Sequence, residues 1–398
     1  MLTLFCVSLG VVAYVYFGYP LLLWLGALGR REPVPKRSAA PPATPPVSIL
    51  VAAHDEESQI AAKIHNLLAP EYPRDRMEIL IGSDGSSDKT EEIVRPFARE
   101  GVGLISFPQQ HGKSAMQNRL AAAASGDILV LTDADCFFDP GAIASALETL
   151  SDPRVGLVTA GPRYRNENET CVTENEGLYL RYETWLRRQE SDRGLLAMAS
   201  GSFVALRRSL WRPLPTDMGD DFVLPLRMAQ AGLRNVLDER ITVVTHLSEN
   251  RPGAMLRTKT RIITKDFRCL LAHVSLLNPC RHGALAVSLW SHKLLRWLVP
   301  YFLLALLVGT SCLRAEPVFR AFLGVQAAFY GLALAGCVAR SRRFGFPWSV
   351  PASFCVVNLA ALIGTLKCVA GQTSGRWTPA RRSSAGRAIH ADPSRRSR

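Results

Sequence analysis

Two aspartates separated by one residue, Asp133 and Asp135, end the apolar stretch of segment 127–135, which reads DILVLTDAD. Carboxylates this close repel one another, so a lysine, a metal ion or water must offset their charge. On an extended strand tip both can reach one cation, or one can bind it directly and the other through water. Hard divalent ions prefer such oxygen ligands and often share them with substrate phosphates. A metal ion here could therefore neutralise a diphosphate leaving group.

Three further charged residues could serve the same chemistry. Lys113, in the stretch HGKS, precedes a predicted helix and could contact a phosphate or a ribose, although a solvated lysine fits equally well. Asp220 and Asp221 open another helix, where one carboxylate could cap the helix and the other could be a general base. The sequence has neither G-x-x-x-x-G-K-[ST] nor G-x-G-x-x-G, so P-loop and dinucleotide-binding sites lack support. It has no His/Cys cluster either, which argues against zinc.

Alternating strands and helices must position these residues. The predicted elements are strands 47–53, 78–83, 102–107, 128–132 and 201–206, and helices 56–68, 89–100, 114–124, 177–193 and 223–231. This alternation predicts βαβ units in an α/β fold with a parallel-rich sheet, and the nearly continuous apolar strands indicate helices on both faces. Ligands bind beyond the carboxyl ends of the strands in such sheets.

The polar residues that follow the predicted strands converge on that edge. Ala53 ends the first strand and Asp55 and Glu56 follow it, while Asp84 follows the second strand. Helix N-capping is the alternative role for Asp55 and Asp88. Capping does not explain Asp84 or the aspartate pair of the fourth strand, which lie at strand tips.

Four runs without charged residues indicate membrane-spanning helices, because a span needs about 20 apolar residues. They are residues 1–29, 298–313, 321–339 and 344–366, of which the second is short. The first run lacks a positive n-region and a cleavage site, and Arg30 and Arg31 follow it, so it is predicted to be a retained anchor with a cytoplasmic flank. The last run begins with two prolines and is the candidate for a re-entrant segment, because four full spans would leave the arginine-rich tail outside.

Basic residues give the chain a net charge of +13, and many of them flank the apolar runs. Flanking charge of this kind favours contact with anionic membrane lipids over nucleic acid binding. The stretch 257–276 is basic on one side and apolar on the other, which predicts a helix in the membrane interface; packing on the globular part is the alternative. The nine cysteines form no C-x-x-C pair, as expected for reduced core residues.

These patterns divide the chain into six predicted parts. They are a transmembrane anchor (1–29), a Pro/Ala linker (30–46), a cytoplasmic catalytic domain (47–250), interfacial amphipathic helices (251–297), a C-terminal transmembrane region (298–370) and a basic tail (371–398). A multi-pass protein of the cell membrane, with its catalytic domain in the cytoplasm, is the localisation that this organisation predicts.

The motifs, in this order and spacing, resemble the family 2 glycosyltransferases, inverting enzymes with the A-type fold, over residues 46–268. The matching stretches are ILVAAHDEES, ILIGSDGSSDKT, HGKSAMQN, ILVLTDADC and GDDFVLPLRMAQAGLR. The resemblance implies that Glu56 and Asp84 contact the nucleotide base and that Lys113 lies near the ribose or diphosphate. It also implies that Asp133 and Asp135 form the D-x-D pair, in which Asp135 binds Mg²⁺ or Mn²⁺.

The remaining matches concern the base and the leaving group. The family's E-D before a helix corresponds to Asp220-Asp221, so Asp221 is the implied base, with a shorter carboxylate preceding it than in the family. Processive members, such as cellulose, hyaluronan and poly-N-acetylglucosamine synthases, carry Q-x-x-R-W on an interfacial helix. This chain has Thr258-Lys-Thr-Arg-Ile262 there, so Lys259 and Arg261 are predicted to hold the diphosphate. Lys293-Leu-Leu-Arg-Trp297 is a better local match, but its Arg296 and Trp297 are predicted to anchor the next helix at the interface.

The predicted function is a membrane-bound, metal-dependent inverting glycosyltransferase. It would transfer a sugar from a nucleotide-sugar, with a UDP-sugar favoured, to a hydroxyl of a polysaccharide or glycolipid. Ala53 and Asp55 join the predicted donor site because they end the first strand. Two alternatives stay open, which are a single-addition transferase acting on a lipid carrier and a catalytically silent partner subunit of a polysaccharide export assembly.

Overall fold

The computed structural model describes residues 1–29, 31, 44–165, 171–246, 252–338 and 349–372 of the chain. The predicted Pro/Ala linker and the predicted basic tail lie almost entirely outside these described residues.

One eight-stranded sheet forms the centre of the globular part, with the strand order β3-β2-β1-β4-β7-β6-β8-β5. The strands are β1 (Val47–Ala53), β2 (Met77–Asp84), β3 (Val102–Phe107), β4 (Ile128–Asp133), β5 (Cys136–Phe138), β6 (Val155–Arg165), β7 (Val204–Arg207) and β8 (Arg234–His246). Strands β1 to β4 pair in parallel, whereas β7 is antiparallel to both β4 and β6. The prediction of an α/β fold with a parallel-rich sheet is confirmed.

The helices surround this sheet and continue into a group of long apolar helices. They are α1 (Leu2–Trp24), α2 (Ile60–Leu68), α3 (Thr90–Val94), α4 (Lys113–Ala123), α5 (Ala142–Leu150), α6 (Cys171–Ser191), α7 (Asp220–Gln230), α8 (Pro252–Ala272), α9 (Ala284–Cys312), α10 (Pro317–Val338) and α11 (Ser349–Val369).

The sheet places the predicted site residues through the burial and register of its central strands. Every residue of β1 is buried, as expected where helices cover both faces. In the parallel register, Ala53 lies beside Ser83 and Ala52 beside Asp133, so the carboxyl ends of β1, β2 and β4 share one edge. That edge is where α/β sheets bind ligands.

Several predicted boundaries differ from the structure for identifiable reasons. The helix predicted over 89–100 is α-helical only in α3 and continues as a 3₁₀ turn from Arg95, because Pro96 has no N–H for the α-helical ladder. Helix α7 begins at Asp220 rather than Val223, so both aspartates lie in its first turn. Strand β6 was missed because two register shifts, at Val155/Leu157 and Thr159/Gly161, interrupt the alternation that marks a strand.

Within the described ranges, four helices are long and apolar enough to cross a membrane, and they comprise Leu2–Trp24, Ala284–Cys312, Pro317–Cys337 and Val350–Val369. The second begins well before the charge-free run at 298, so the predicted boundary at 297 falls inside α9. Helix α9 carries charged residues in its first half, but Arg296 donates a 2.8 Å hydrogen bond to Glu183 of α6. Pairing of this kind lets a charged residue lie within an otherwise apolar helix.

Trp297 and Arg296 of α9 do not lie at an exposed interface, so the prediction that they anchor this helix there is wrong. Trp297 is 8% exposed, and its ring packs edge-on against Phe222 of α7 and Phe267 of α8, with both centroid distances 5.9 Å. The tryptophan therefore joins the apolar helices to the helix that carries the two aspartates.

The amphipathic helix α8 packs on both sides. Its buried Ile263 and Phe267 belong to the core shared with α7, and Thr264 Oγ1 donates to the carbonyl of Gly364 in α11 at 3.2 Å. This packing fits the alternative, a helix packed on the globular domain, and the placement of α8 in the membrane interface stays a prediction.

A buried polar cluster fixes α1 against α6 and α9. The hydroxyl of Tyr19 donates to Glu190 Oε1 at 2.6 Å and lies 2.9 Å from Ser288 Oγ. Nδ1 of His292 lies 2.7 Å from the same glutamate oxygen. The first apolar helix is therefore held by specific hydrogen bonds as well as by apolar packing.

Candidate active site

Lys113 is the residue that offsets the charge of the aspartate pair. The lysine is the first residue of α4, and its Nζ lies 2.7 Å from Asp133 Oδ1 and 3.2 Å from Asp220 Oδ2. Burial lowers the pKa of Lys113, but the carboxylates of Asp133 and Asp220 together raise it by more, so the net shift of the pKa is upward. Lys113 is therefore a charged link between the tip of β4 and the start of α7, and not a solvated lysine.

Gln117 completes this link from one turn further along α4. Its Nε2 donates to Asp220 Oδ2 at 2.7 Å. Although burial raises the pKa of Asp220, Lys113 and this hydrogen bond lower it, and the net shift is downward. Asp220 is thus held ionised between two donors, a role that its position in the sequence did not suggest.

Asp133, Asp135 and Cys136 form the one group with metal-ligand geometry among the described residues. Their ligand atoms all lie within 4.8 Å of one another. The carboxylates fit Mg²⁺ or Mn²⁺, which prefer oxygen ligands. Cys136 is buried, and its Sγ donates to Asp135 Oδ1 at 3.4 Å, so it supports that carboxylate. The assignment of Asp135 as the direct ligand stays a prediction.

Lys63 of α2 lies beneath the turn that carries these aspartates and was not identified from the sequence. Its Nζ donates to Thr132 Oγ1 at 2.9 Å and to the carbonyl of Cys136, the two residues that flank the turn. Burial lowers the pKa of this fully buried lysine to about 8. The available signal was a lysine on the apolar face of the predicted helix 56–68, between Ile60 and Ile64.

Asp221 faces a second carboxylate, Asp266 of α8, across Gly219. A Cβ at Gly219 would lie 2.6 Å from Asp221 Oδ1 and 3.0 Å from Asp266 Oδ1. The two oxygens are thus within the roughly 6 Å over which like charges oppose each other's ionisation. Burial, and then Asp221, raise the pKa of Asp266. The sequence offered no signal for Asp266, because the contact joins residues that are distant along the chain.

The close approach at Gly219 leads to a prediction for Gly219→Ala. The new methyl group has to displace one or both carboxylates, whereas the backbone, at φ −80°, accepts alanine without strain. We expect a loss of about tenfold to a hundredfold in the predicted sugar transfer, the usual cost of misplacing a catalytic group such as the predicted base Asp221. Initial rates of the purified full-length variant measure this. Gly324→Ala, where a Cβ would meet nothing within 4 Å, is the control, and equal rates in both variants would contradict the prediction.

The pH dependence of the predicted sugar transfer should report the protonation of Asp221, its predicted base. Burial, followed by the charge of Asp220, raises the pKa of Asp221 to about 6. A carboxylate accepts a proton only when ionised, so the rate should rise with pH through about 6 and fall below it. An ordinary aspartate would stay active down to about pH 4. A profile of kcat/KM against pH checks this, and a rate that holds steady well below pH 6 would exclude Asp221 as the titrating base.

The donor-side residues predicted on β1 lie at the same edge. Ala53 is buried beside Ser83, and Asp55 adopts φ +54°, a left-handed conformation that is uncommon outside glycine. Asp55 Oδ1 accepts from the N–H of Ser87 at 2.7 Å, and the N–H of Glu56 donates to Thr90 Oγ1 at 2.8 Å. These contacts join the loop after β1 to the loop after β2, beside the strand tips.

Asp84 is fully buried, and both of its oxygens accept from backbone N–H groups, His111 at 2.7 Å and Gly112 at 2.8 Å. It holds the loop that leads to Lys113, and its predicted contact with the nucleotide base stays a prediction. Asp88 Oδ1 accepts from the N–H of Thr90, the first residue of α3, at 2.9 Å, although the N-cap position of that helix is Lys89.

The cations of α8 differ in whether their charge acts on the aspartates at this edge. Lys265, one turn beyond Arg261, is the cation of this helix whose charge acts on Asp220 and Asp221. Burial, followed by the charge of Arg261, lowers the pKa of Lys265. Arg261 also lines a cavity against α11, away from the aspartates. The diphosphate contacts predicted for Lys259 and Arg261 stay predictions, and Lys265 joins them as a residue that the sequence did not single out.

Gly201, in the loop before β7, forms the remaining wall of the candidate active site. A Cβ there would lie 3.1 Å from Asp133 Oδ2 and 3.3 Å from Lys113 Nζ. A larger residue at this position of the loop before β7 would have to shift the ion pair by a few tenths of an ångström.

Comparison with known proteins shows which family part of the chain resembles. Residues 48–213 match the family model described as Glycosyl transferase family 2. The chain is 30% identical, over 41% of its length and 36% of the relative's, to a beta-monoglucosyldiacylglycerol synthase of Trichormus variabilis. It is 28% identical, over 41% of its length and 40% of the relative's, to a poly-beta-1,6-N-acetyl-D-glucosamine synthase of Staphylococcus epidermidis. The match thus spans less than half the length of these two relatives.

A solved structure extends the likeness over nearly the whole chain. A mannosyltransferase from Pyrobaculum calidifontis, in complex with GDP-Man and Mn²⁺, superposes with a TM-score of 0.67 at 22% identity. The match covers 92% of this chain and 99% of that one, so the shared fold extends beyond the residues of the family match. At this identity the likeness shows the fold alone.

Proposed function

We propose, from the premise that residues 48–213 form a family 2 glycosyltransferase domain, that this chain transfers a sugar from a nucleotide-sugar to an acceptor hydroxyl and inverts the anomeric configuration. One observation carries the proposal: Lys113 joins Asp133 of the D-x-D turn to Asp220, the neighbour of Asp221, in a single site. The donor's diphosphate and the base that activates the acceptor would thus lie on either side of one lysine.

The residues on the β4 side would bind the donor. Asp135, with Asp133 beside it, would hold Mg²⁺ or Mn²⁺, and the ion would offset the charge that develops on the departing diphosphate. Lys113 and Lys265 would add positive charge around that group. Asp55 and Glu56, on the loop after β1, would contact the nucleoside.

Asp221 would act on the acceptor. Its carboxylate would take the proton of the acceptor hydroxyl, and the hydroxyl oxygen would then attack the anomeric carbon. The bond between that carbon and the diphosphate oxygen would break as the new one forms, and a single displacement of this kind inverts the configuration. Asp266, with its raised pKa, would stay protonated and leave Asp221 as the ionised member of the pair.

The acceptor is proposed to be a hydroxyl of a glycan or glycolipid at the membrane. Four helices are long and apolar enough to span a membrane, and α8 packs between the catalytic helix α7 and α11. A lipid-linked acceptor could therefore reach Asp221 from the membrane side. One of the relatives is named for glycolipid synthesis and another for polymer synthesis, so both single addition and chain extension are candidate activities.

The test is a panel of nucleotide-sugars given to the purified full-length chain, with and without Mn²⁺, together with membrane lipid extract as acceptor. Transfer from one donor in the presence of the ion supports the proposal. Product length on a gel separates polymer from single addition. Failure to transfer or hydrolyse any donor would contradict it and favour the silent partner subunit.

A further inference from the structure

A basic cavity of about 290 Å³ opens between α8 and α11, outside the aspartate site. Three cations line it, Arg257 and Arg261 from α8 and Lys367 from the last turn of α11. Leu256 and Ile363 provide apolar wall, and no carboxylate lines the cavity among the residues that the structure describes.

Within the described part of the chain, no acidic side chain pairs with any of the three cations. Arg257 and Arg261 are one helical turn apart, so they share a face of α8, and Lys367 lies across the cavity from them. None of the three side chains makes a hydrogen bond or an ion pair with another described residue. Like charges collected in this way repel one another, and an anion between them would remove that repulsion.

The position of the cavity indicates the source of the anion. Lys367 lies near the end of the fourth apolar helix, and α8 is the amphipathic helix beside it. Basic pockets between such helices, at the level of the headgroups, bind anionic lipid headgroups. The volume lies near the small end of ligand cavities, roughly 300 Å³, which suits a headgroup rather than a whole lipid. The apolar wall would face the glycerol and the first acyl carbons.

We infer that this cavity binds the phosphate group of an anionic membrane lipid through Arg257, Arg261 and Lys367. No residue of the D-x-D turn or of α7 lines the cavity, and the only lining residue also predicted at the donor site is Arg261, so the variants that test the inference leave Arg261 unchanged. Helix α8 would then contact a bound lipid on one side and Asp221 on the other. Arg261 lies next to Lys265, whose charge reaches Asp220 and Asp221, so lipid binding is placed to influence the donor site.

The test uses the purified full-length chain, delipidated in a zwitterionic detergent. Native mass spectrometry would compare the retention of phosphatidylglycerol, of phosphatidylcholine and of inorganic phosphate. We expect the wild-type chain to retain phosphatidylglycerol in preference to phosphatidylcholine. The double variant Arg257→Gln/Lys367→Gln should bind phosphatidylglycerol at least about tenfold more weakly, since each basic residue near a headgroup contributes about 1 kcal/mol.

Two further variants keep the result interpretable. Arg314→Gln/Arg320→Gln removes two exposed charges near the junction of α9 and α10 and should retain the wild-type preference. Arg257→Lys/Lys367→Arg preserves both charges and should also retain it, which separates loss of charge from misfolding. Unchanged phosphatidylglycerol binding in the double glutamine variant would overturn the inference. So would binding of inorganic phosphate without any preference for the anionic lipid.

Discussion

Replacing Asp221 by asparagine should lower sugar transfer by about a hundredfold to ten-thousandfold, the range that a general base contributes. Asparagine has the same shape but cannot accept the proton of the acceptor hydroxyl. The fold of α7 should survive, because the main-chain carbonyl of Asp221, which the substitution leaves in place, accepts from the N–H of Ala199 in the loop before β7 at 2.8 Å. Initial rates with saturating donor and acceptor measure the effect.

Donor binding is the readout that assigns this loss to chemistry. Among the described residues, no hydrogen bond or ion pair joins the Asp221 side chain to the D-x-D turn, so the affinity for the nucleotide should stay close to that of the wild-type chain. Asp75→Asn, at an exposed carboxylate, is the matched control and should keep full activity. Wild-type rates in Asp221→Asn would show that the base lies elsewhere, and Asp266 would be the next residue to replace.

Asp135→Asn should remove metal-dependent activity. An amide is a weaker ligand than a carboxylate for a hard cation. A bound ion offsets several kcal/mol of charge in a departing diphosphate, so we expect a loss of about a hundredfold or more. Calorimetric titration with Mn²⁺, in the presence of the nucleoside diphosphate, should show weaker binding of the ion.

Asp133→Asn provides a contrast within the same turn. It also breaks the 2.7 Å ion pair with Lys113 and leaves that lysine with Asp220. We expect Asp133→Asn to change the affinity for the donor more than the affinity for the ion. We expect Asp135→Asn to change the affinity for the ion more than the affinity for the donor. Equal Mn²⁺ affinity in Asp135→Asn and the wild-type chain would contradict the assignment of Asp135 as the direct ligand.

The parts of the fold that the sequence predicted well are those with strong local patterns. Strands β1 to β4 are short apolar runs bounded by turn residues, and in a parallel sheet their carboxyl ends must lie along one edge. Strand order along the chain therefore suffices to assign Asp84, Asp133 and Asp135 to a common edge. The predicted A-type fold followed from the same motifs.

The parts that escaped prediction depend on contacts between distant residues. Local spacing allowed Lys113 to be solvated, and only the approach of α7 to β4 turns it into a bridge. Asp266 and Lys63 acquire their roles from elements packed above and beneath the site. The sequence suggested Trp297 as a membrane-interface residue because a charged residue precedes it and an apolar run follows it. Packing against α7 and α8 buries it instead.

The polar cluster around Tyr19 bears on the order in which the chain can assemble. Helix α1 is synthesised before the partners of its Tyr19 hydroxyl, Glu190 and Ser288, which lie 171 and 269 residues further along the chain. Until α9 is complete, α1 lacks the contacts that fix its position, and an unpaired hydroxyl among apolar neighbours has a free energy cost. The first helix should therefore dock late, and its docking would couple completion of the apolar helices to the final placement of α6 beside the catalytic domain.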